Sequence, residues 1–308
     1  MMNKALKEFI RNQFYLLAKI SCRISPYTIG PLLAKIEYRA ITKRNLNLGN
    51  PQNLIEKIVW MQFHTDTSLW TTCADKYAVR SYVEEKGLSH ILPKLYGCWD
   101  DVSEIKWDLL PEKFVMKTNN SCGQNLIVRN KFGLDVNEAK IKLNKWLKER
   151  YGYHNAQLHY LRIKPRIIAE ELLEDPSLPQ GTNLIDYKIV CLNGEPESIL
   201  VVSDRQHNEY KVSFFDLDWN NISERALNQE SNHYGNISIP KPKNLETMIE
   251  YARILSAPFP QVRVDFYDID GRIYFGELTF TTGYGYRSFE YSEYLGSKIN
   301  LSKIKRIR

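Results

Sequence analysis

Arg263, Asp265 and Glu277 sit within a run rich in Val, Ile, Tyr and Phe, VRVDFYDIDGRIYFGELTF at 262–280, and their types and spacing allow cation chemistry. Val, Ile, Tyr and Phe flank Asp268-Ile269-Asp270-Gly271, the pattern of a β-hairpin with a breaker at its tip. A three-residue loop, Ile269-Asp270-Gly271, puts Gly271 at the left-handed position and pairs Asp265 with Phe275 and Arg263 with Glu277. Side chains alternate along strands, so Arg263, Asp265, Glu277 and Thr279 then share one face, opposite Val264, Phe266, Tyr274 and Leu278. A two-residue Asp-Gly loop would send Asp265 and Glu277 to opposite faces; the three-residue loop is the expectation. Two carboxylates beside a guanidinium suit Mg²⁺, which keeps waters and takes its remaining ligands from phosphates. The plain alternative is a solvated cross-strand ion pair worth under about 1 kcal/mol, and the hairpin by itself leaves both open.

A second stretch bears on phosphate. In PEKFVMKTNNSCGQNLIVRN (111–130), Lys117 ends an apolar strand and precedes a small polar loop, Thr-Asn-Asn-Ser-Cys-Gly. Loop N–H groups can cradle phosphate oxygens while the lysine supplies a point charge. Most such loops only turn the chain, and this one is not a Walker A motif.

The elements that must hold these residues alternate between helix and strand. A capped helix is expected at 50–66 and another at 73–90 ending at Gly87; an amphipathic helix at 134–150 is capped by Asp135 or Asn137. Strands are expected at 165–173 and in a hairpin over 184–205 around Asn193-Gly194, and a helix at 244–257 leads into the charged hairpin. Antiparallel contacts should dominate, so the fold class is α+β.

Composition narrows the classes further. With 308 residues, 43% of them hydrophobic, the chain can bury one large or two smaller cores. Five cysteines without CxxC spacing indicate neither a disulfide framework nor a zinc ribbon. No long apolar stretch or leader is evident, so a cytoplasmic location is the expectation. The net charge of +6 is uneven: +7 over residues 1–48 and +5 over 298–308, which leaves −6 for the rest. Leu6, Ile10, Phe14 and Leu17 follow helical spacing among lysines and an arginine over 4–20. Such basic ends can lie on an anionic membrane at the inner face of the cytoplasmic membrane or simply pack on the body. No RNP or KH-like pattern is present, and no nucleic-acid partner is expected.

In order along the chain, NLIEKIVW, CADKYAVRSYV, FVMKTNNSCG, PRIIAEELL, DYKIVCLNGEP and RVDFYDIDGRIYFGELTF resemble the ATP-grasp superfamily, most closely its TupA-like branch of bacterial surface-polysaccharide and teichuronopeptide biosynthesis, over about residues 50–290. The resemblance implies two α+β subdomains clasping ATP. It divides the chain into a basic helical region (1–48), a shortened pre-ATP-grasp region (49–110), an N-subdomain with the phosphate loop (111–180) and a C-subdomain with metal site and basic tail (181–308). It also implies roles. Lys76 and Lys117 would meet ATP phosphates, and Ser121 and Gly123 belong to a loop that folds over the nucleotide. Glu170, or Glu171 if the register slips, would accept from the adenine amino group, with Leu172 and Leu173 as hinge. Asp186 would bind ribose, and Lys188 phosphate or substrate. Asp265 and Glu277 would hold Mg²⁺ (or Mn²⁺) with Thr279 where many members carry Asn, and Arg263 would steady the transferring phosphate. Arg205, Arg287 and tyrosines such as Tyr284 are candidate acceptor-site residues.

The implied activity is an ATP- and Mg²⁺-dependent carboxylate–amine ligase acting through an acyl phosphate. It would join an amino acid to a uronic acid or acidic peptide of capsule, O-antigen or teichuronopeptide. The rivals are a glycosyltransferase, an ATP-dependent kinase and a non-catalytic nucleotide-binding scaffold. Asp216-x-Asp218 would be the glycosyltransferase's cation site, but beside an apolar strand it is expected to be a turn. Retention of both lysines and both acids speaks against a dead scaffold. Cys122 has no readable His partner, so a nucleophilic role is not expected.

Overall fold

The computed structural model describes residues 20–21, 24–178, 184–206, 209–230, 235 and 239–307. The expected helix at 4–20 lies outside the described residues but for its last position. The first helices are α1 (Pro26–Thr42), α2 (Leu54–His64), α3 (Ser68–Ala74) and α4 (Val79–Glu85). Helix α2 starts on a reciprocal cap: Asn53 accepts from Glu56 N at 3.0 Å and Glu56 accepts from Asn53 N at 3.3 Å. The single helix expected over 73–90 is interrupted. Asp75 accepts from Tyr77 N and Ala78 N at 2.8 and 3.2 Å, offering the chain a turn that competes with helix.

Two antiparallel sheets follow. The smaller contains β1 (Leu95–Trp99), β2 (Phe114–Thr118), β3 (Asn125–Val128) and β4 (Ile167–Glu170), in the order β1-β4-β2-β3, with α5 (Val136–Lys148) packed on it. Asp135 caps α5 through Asn137 N and Glu138 N, which settles the expected alternative in its favour. Strand β2 alternates between its two faces: Phe114 and Met116 enter a core with Leu143, Ile167 and Ala169, while Val115 and Lys117 point away from it.

The larger sheet contains β5 (Asp186–Leu192), β6 (Glu195–Gln206), β7 (Glu209–Phe215), β8 (Gln261–Ile269) and β9 (Arg272–Thr279), in the order β7-β6-β5-β8-β9. Helix α6 (Leu245–Ser256) packs on β5, β6 and β8. The C-terminal helix α7 is Phe289–Ser297. Helices α1 to α4 share their apolar core with this larger sheet: Leu33, Met61 and Val83 join Ile189, Val264 and Phe280.

The charged hairpin turns differently from expectation. Ile269 pairs with Arg272, so the loop has two residues, Asp270 and Gly271, both at positive φ (48° and 78°). That register alone would separate the two acids. A bulge between Asp265 and Phe266 restores them, because Gly276 is an extra residue on β9 and Asp265 then faces Glu277 directly. Arg263 pairs with Thr279, not Glu277, and Phe275 pairs with Phe266 in place of Asp265. Tyr274 accordingly pairs with Tyr267, half-buried, while Phe275 is in the core.

Candidate active site

Strand alternation delivers the site residues to facing sheet surfaces. On the smaller sheet, Glu170 lies opposite Val115 and hence on the face of Lys117. Lys117 Nζ is 2.6 Å from Glu170 Oε2, and Arg80 Nη1, from α4, is 3.1 Å from Oε1. Arg80 also donates to the Pro93 carbonyl at 2.8 Å, which fixes it. Glu171 instead turns to the chain before β1: its N–H donates to Lys94 O at 2.9 Å and its Oε2 accepts from Lys94 N at 3.3 Å. Glu170, rather than Glu171, is therefore the carboxylate that accompanies Lys117.

On the larger sheet, Asp186, Lys188, Arg263, Asp265, Glu277 and Thr279 share one face. Arg263 grips Asp265 through Nε and Nη2, each at 2.7 Å, and reaches Glu277 Oε1 at 3.3 Å and Thr279 Oγ1 at 3.0 Å. Lys188 Nζ adds bonds to Asp265 Oδ2 (2.5 Å) and Asp186 Oδ1 (3.2 Å). Burial alone would raise the Asp265 pKa, but Arg263 and then Lys188 outweigh it and hold the carboxyl below its ordinary range. Burial likewise opposes the charge on Arg263, yet Asp265 and Glu277 prevail and raise its pKa.

The loop between β2 and β3 closes the end of the site. The Lys76 ammonium donates to the Ser121 carbonyl, and Lys76 N donates to Asn119 O at 3.1 Å. Asn119 is held by Asp75, the Lys164 carbonyl and Arg166 N. Ser121 is buried against Thr118 (Oγ to Oγ1, 2.6 Å), whereas Cys122 and Gly123 are exposed, Gly123 at φ 74°.

Between the sheets lies a cleft of about 870 Å³. It gathers eight of the residues singled out from the sequence: Lys76, Lys117, Glu170, Glu171, Leu172, Leu173, Asp186 and Glu277. Lys188, Arg263, Asp265 and Thr279 stand behind Glu277 on the same sheet face; Ser121 and Gly123 lie in the loop beyond Lys76. The acceptor candidates are elsewhere. Tyr284 packs edge-on against Tyr38 at 5.5 Å between centroids, and Arg287 lines a separate cleft. Arg205 belongs to β6, and its side chain lies outside the described residues. Sequence reasoning missed Arg80, and it missed Lys113 and Arg129, cleft bases that pair with Glu174 at 2.8 and 3.3 Å. Arg80 comes four residues after Lys76, a spacing that carried a weak signal.

The site fits a nucleotide and a hard cation in different degrees. The cleft lining combines apolar side chains, Leu92, Val115, Leu172, Leu173 and Leu184, with the cations Lys76 and Lys117. Glu277 turns one carboxylate oxygen toward Arg263 and Thr279, and Oε2 has no bond to a described residue, so it can take a cation. Both Asp265 oxygens are already held by cationic nitrogens, Oδ2 by two and Oδ1 by one, so Asp265 has less room for a cation than Glu277. Asp216 accepts from Asp218 N and Asn220 N at 3.1 and 2.8 Å, so that pair of acids forms a turn.

A family model described as TupA-like ATP-grasp matches residues 56–300, most of the chain and all of both sheets. The chain belongs to the TupA-like ATP-grasp family. Among solved structures it is similar to D-alanine–D-alanine ligase from Bacillus anthracis complexed with ATP, at 14% identity over 69% of this chain and 55% of that one, with a TM-score of 0.40. It is also similar to D-alanine–D-alanine ligase from Helicobacter pylori (14% identity, 82% and 70% covered, TM-score 0.43). A third is the ATP-grasp ligase PsnB complexed with a phosphomimetic variant of its minimal precursor, Mg and ADP (10% identity, 80% and 66% covered, TM-score 0.42). The chain spans a little over half the length of the first of these. No curated protein matches it. No helix among the described residues is long and apolar enough to cross a membrane.

Proposed function

We propose that this TupA-like ATP-grasp chain is an ATP- and Mg²⁺-dependent carboxylate–amine ligase of bacterial surface-polysaccharide or teichuronopeptide biosynthesis. The observation that carries the reading is the convergence of Lys76, Lys117, Glu170, Asp186 and Glu277 on one cleft between the two sheets. A substrate carboxylate oxygen attacks the terminal phosphorus of ATP, the bond to the bridging oxygen breaks, and ADP leaves. An amine then attacks the acyl carbon, phosphate departs with the bonding pair, and the ammonium proton is lost to give the amide.

In this reading the chain's own residues position and neutralise. Lys76 and Lys117 stabilise charge on the phosphoryl oxygens, Glu170 and the main chain at Leu172 and Leu173 bind the base, and Asp186 binds the ribose. Arg263, fixed by Asp265, stands behind Glu277 and would steady the transferring phosphate. Glu277 and Asp265 are the carboxylates that would hold Mg²⁺, which would supply further charge neutralisation. The loop bearing Ser121 and Gly123 would exclude water from the activated acid. The basic termini are proposed to bring the enzyme to an anionic membrane surface where such acceptors are built.

The test is thermal unfolding with Mg²⁺ and a non-hydrolysable ATP analogue. At a concentration about 100 times Kd, stabilisation of ~2.7 kcal/mol is expected for the natural protein, and little for Lys117→Ala or Glu277→Gln. A natural protein that does not respond to nucleotide at any concentration would end the ligase reading.

A further inference from the structure

Among the described residues, Arg287 is a half-buried cation with no acidic partner. Arg287 Nη1 donates to Thr282 Oγ1 at 3.4 Å, and the guanidinium lies 5.5 Å from the Phe214 ring centroid. Its Nε and Nη2 are sealed from solvent and have no hydrogen-bond partner among the described residues. Burial pushes its pKa down to about 10, with the neighbouring Arg263 cation acting in the same direction. A guanidinium placed like this is costly until an anion meets it.

The identity of the two orphaned atoms says what kind of anion. Nε and Nη2 form one edge of the guanidinium, two parallel donors spaced for the two oxygens of a carboxylate. Nearby, Arg263 uses the same edge, Nε and Nη2, to hold Asp265 at 2.7 Å twice. Arg287 thus carries an unfilled copy of a fork that its neighbour has filled from within the protein, closed to solvent in this conformation, so that a ligand engages it as the side chain turns toward the cleft it lines.

Arg287 also lines a second cleft of about 750 Å³, which shares no lining residue with the first. Its other bases are Lys43, Arg44 and Arg225, against Glu224, Glu230 and Glu290. Arg44 is fixed over the Phe289 ring at 3.7 Å. These three bases and three acids balance, so the charge left over in the cleft is Arg287 itself.

We propose that the Arg287 fork binds a carboxylate of the substrate that does not itself react. This rests on the ligase reading and adds a substrate class to it. A carboxylate with both oxygens held by a guanidinium edge is a poor nucleophile toward phosphorus, so the acid to be activated belongs in the first cleft. The carboxylate on Arg287 is a spectator, either the acid of an amino acid whose amine reacts or a second acid on an acidic sugar. The two sources share one chemistry, and their separation is experimental.

The experiment is thermal unfolding of the full chain with Mg²⁺ and the ATP analogue present, titrated with L-glutamate, D-glucuronate, inorganic phosphate or neutral D-glucose. It is run on the natural protein, Arg287→Gln and Arg287→Lys. A carboxylate probe should raise the melting temperature of the natural protein, and Arg287→Gln should weaken that probe about tenfold or more, the size of a lost charged hydrogen-bond pair. Arg287→Lys, which keeps the charge but loses the fork, should fall between and covers the case in which the glutamine variant does not fold. The analogue's own shift should be the same in all three proteins. A response to glutamate alone assigns the amino acid; a response to glucuronate alone assigns the sugar acid. Equal carboxylate responses in all three proteins, phosphate acting as strongly with the same Arg287 dependence, or no carboxylate response up to about 50 mM, each overturns the proposal. Absence of the analogue shift in the natural protein would instead remove the ligase reading beneath it.

Discussion

Lys117 and Glu170 are joined across neighbouring strands, Nζ to Oε2 at 2.6 Å, while Arg80 occupies the other carboxylate oxygen at 3.1 Å. Glu170 is buried apart from the part that lines the cleft, so each cation offsets most of the cost of placing its carboxylate there. Arg80→Ala is expected to cost about 1–3 kcal/mol in urea unfolding, and to weaken the ATP analogue by releasing Glu170 from its position. Lys117→Ala should cost less stability, since its side chain is one-fifth exposed, and more analogue affinity. An Arg80→Ala protein that binds the analogue like the natural one would show that Glu170 needs no such brace.

Gly276 controls whether the two acids meet. A Cβ there would stand 3.0 Å from the Asp265 carbonyl oxygen and 3.4 Å from its Cβ. Gly276→Ala should destabilise by about 1–2 kcal/mol, and Gly276→Val by more, with loss of the Mg²⁺-dependent part of the analogue response. Gly271→Ala is the control. Its φ of 78° strains any Cβ, but nothing lies within 4 Å, so about 1 kcal/mol of stability is lost and analogue binding is kept.

Asp265 ties two buried cations together, and the sign of its pH dependence follows. Its folded pKa is depressed, so its contribution is complete above the unfolded value of about 3.9 and is lost as pH falls through the folded value. Asp265→Asn leaves Arg263 and Lys188 facing each other and should cost about 3–5 kcal/mol at neutral pH. Lys188→Met should cost less, because the two Arg263 bonds remain. Urea midpoints from pH 7 to pH 3 would test both statements, and equal costs for the two variants would contradict them.

His159 supplies an independent acid sensitivity. It is fully buried between Trp70, Tyr160 and Phe280, neither ring nitrogen has a partner, and burial pushes its pKa down to about 3. The unfolded chain takes up a proton near 6.5, so stability should decline by about 1.4 kcal/mol per pH unit between 6.5 and the folded value. His159→Leu should flatten that decline and be neutral or stabilising at pH 7, as removal of an unpaired buried polar ring predicts. A steeper acid loss in His159→Leu would refute this account.

The sequence by itself determined whatever depends on neighbours along the chain. Alternation put Asp186 with Lys188 on one face of β5; Asp135 or Asn137 marked the start of α5, and Asn193-Gly194 and the stretch Asp268 to Gly271 marked turns. The order of six motifs identified the family. The single helix expected at 73–90 failed because Asp75 ends one helix and turns the chain before the next begins at Val79. The hairpin register was misjudged although its signal was present: an isolated glycine inside a strand marks a bulge, and Gly276 is one. Tertiary structure alone decided the rest. Arg80 meets Glu170 across 90 positions of chain, Lys188 meets Asp265 across 77, and the Arg287 fork is emptied of partners by what packs around it. Local rules reach only as far as one turn or one strand pair, and a charge pairing of that separation is set by how two sheets and their helices bury their apolar faces.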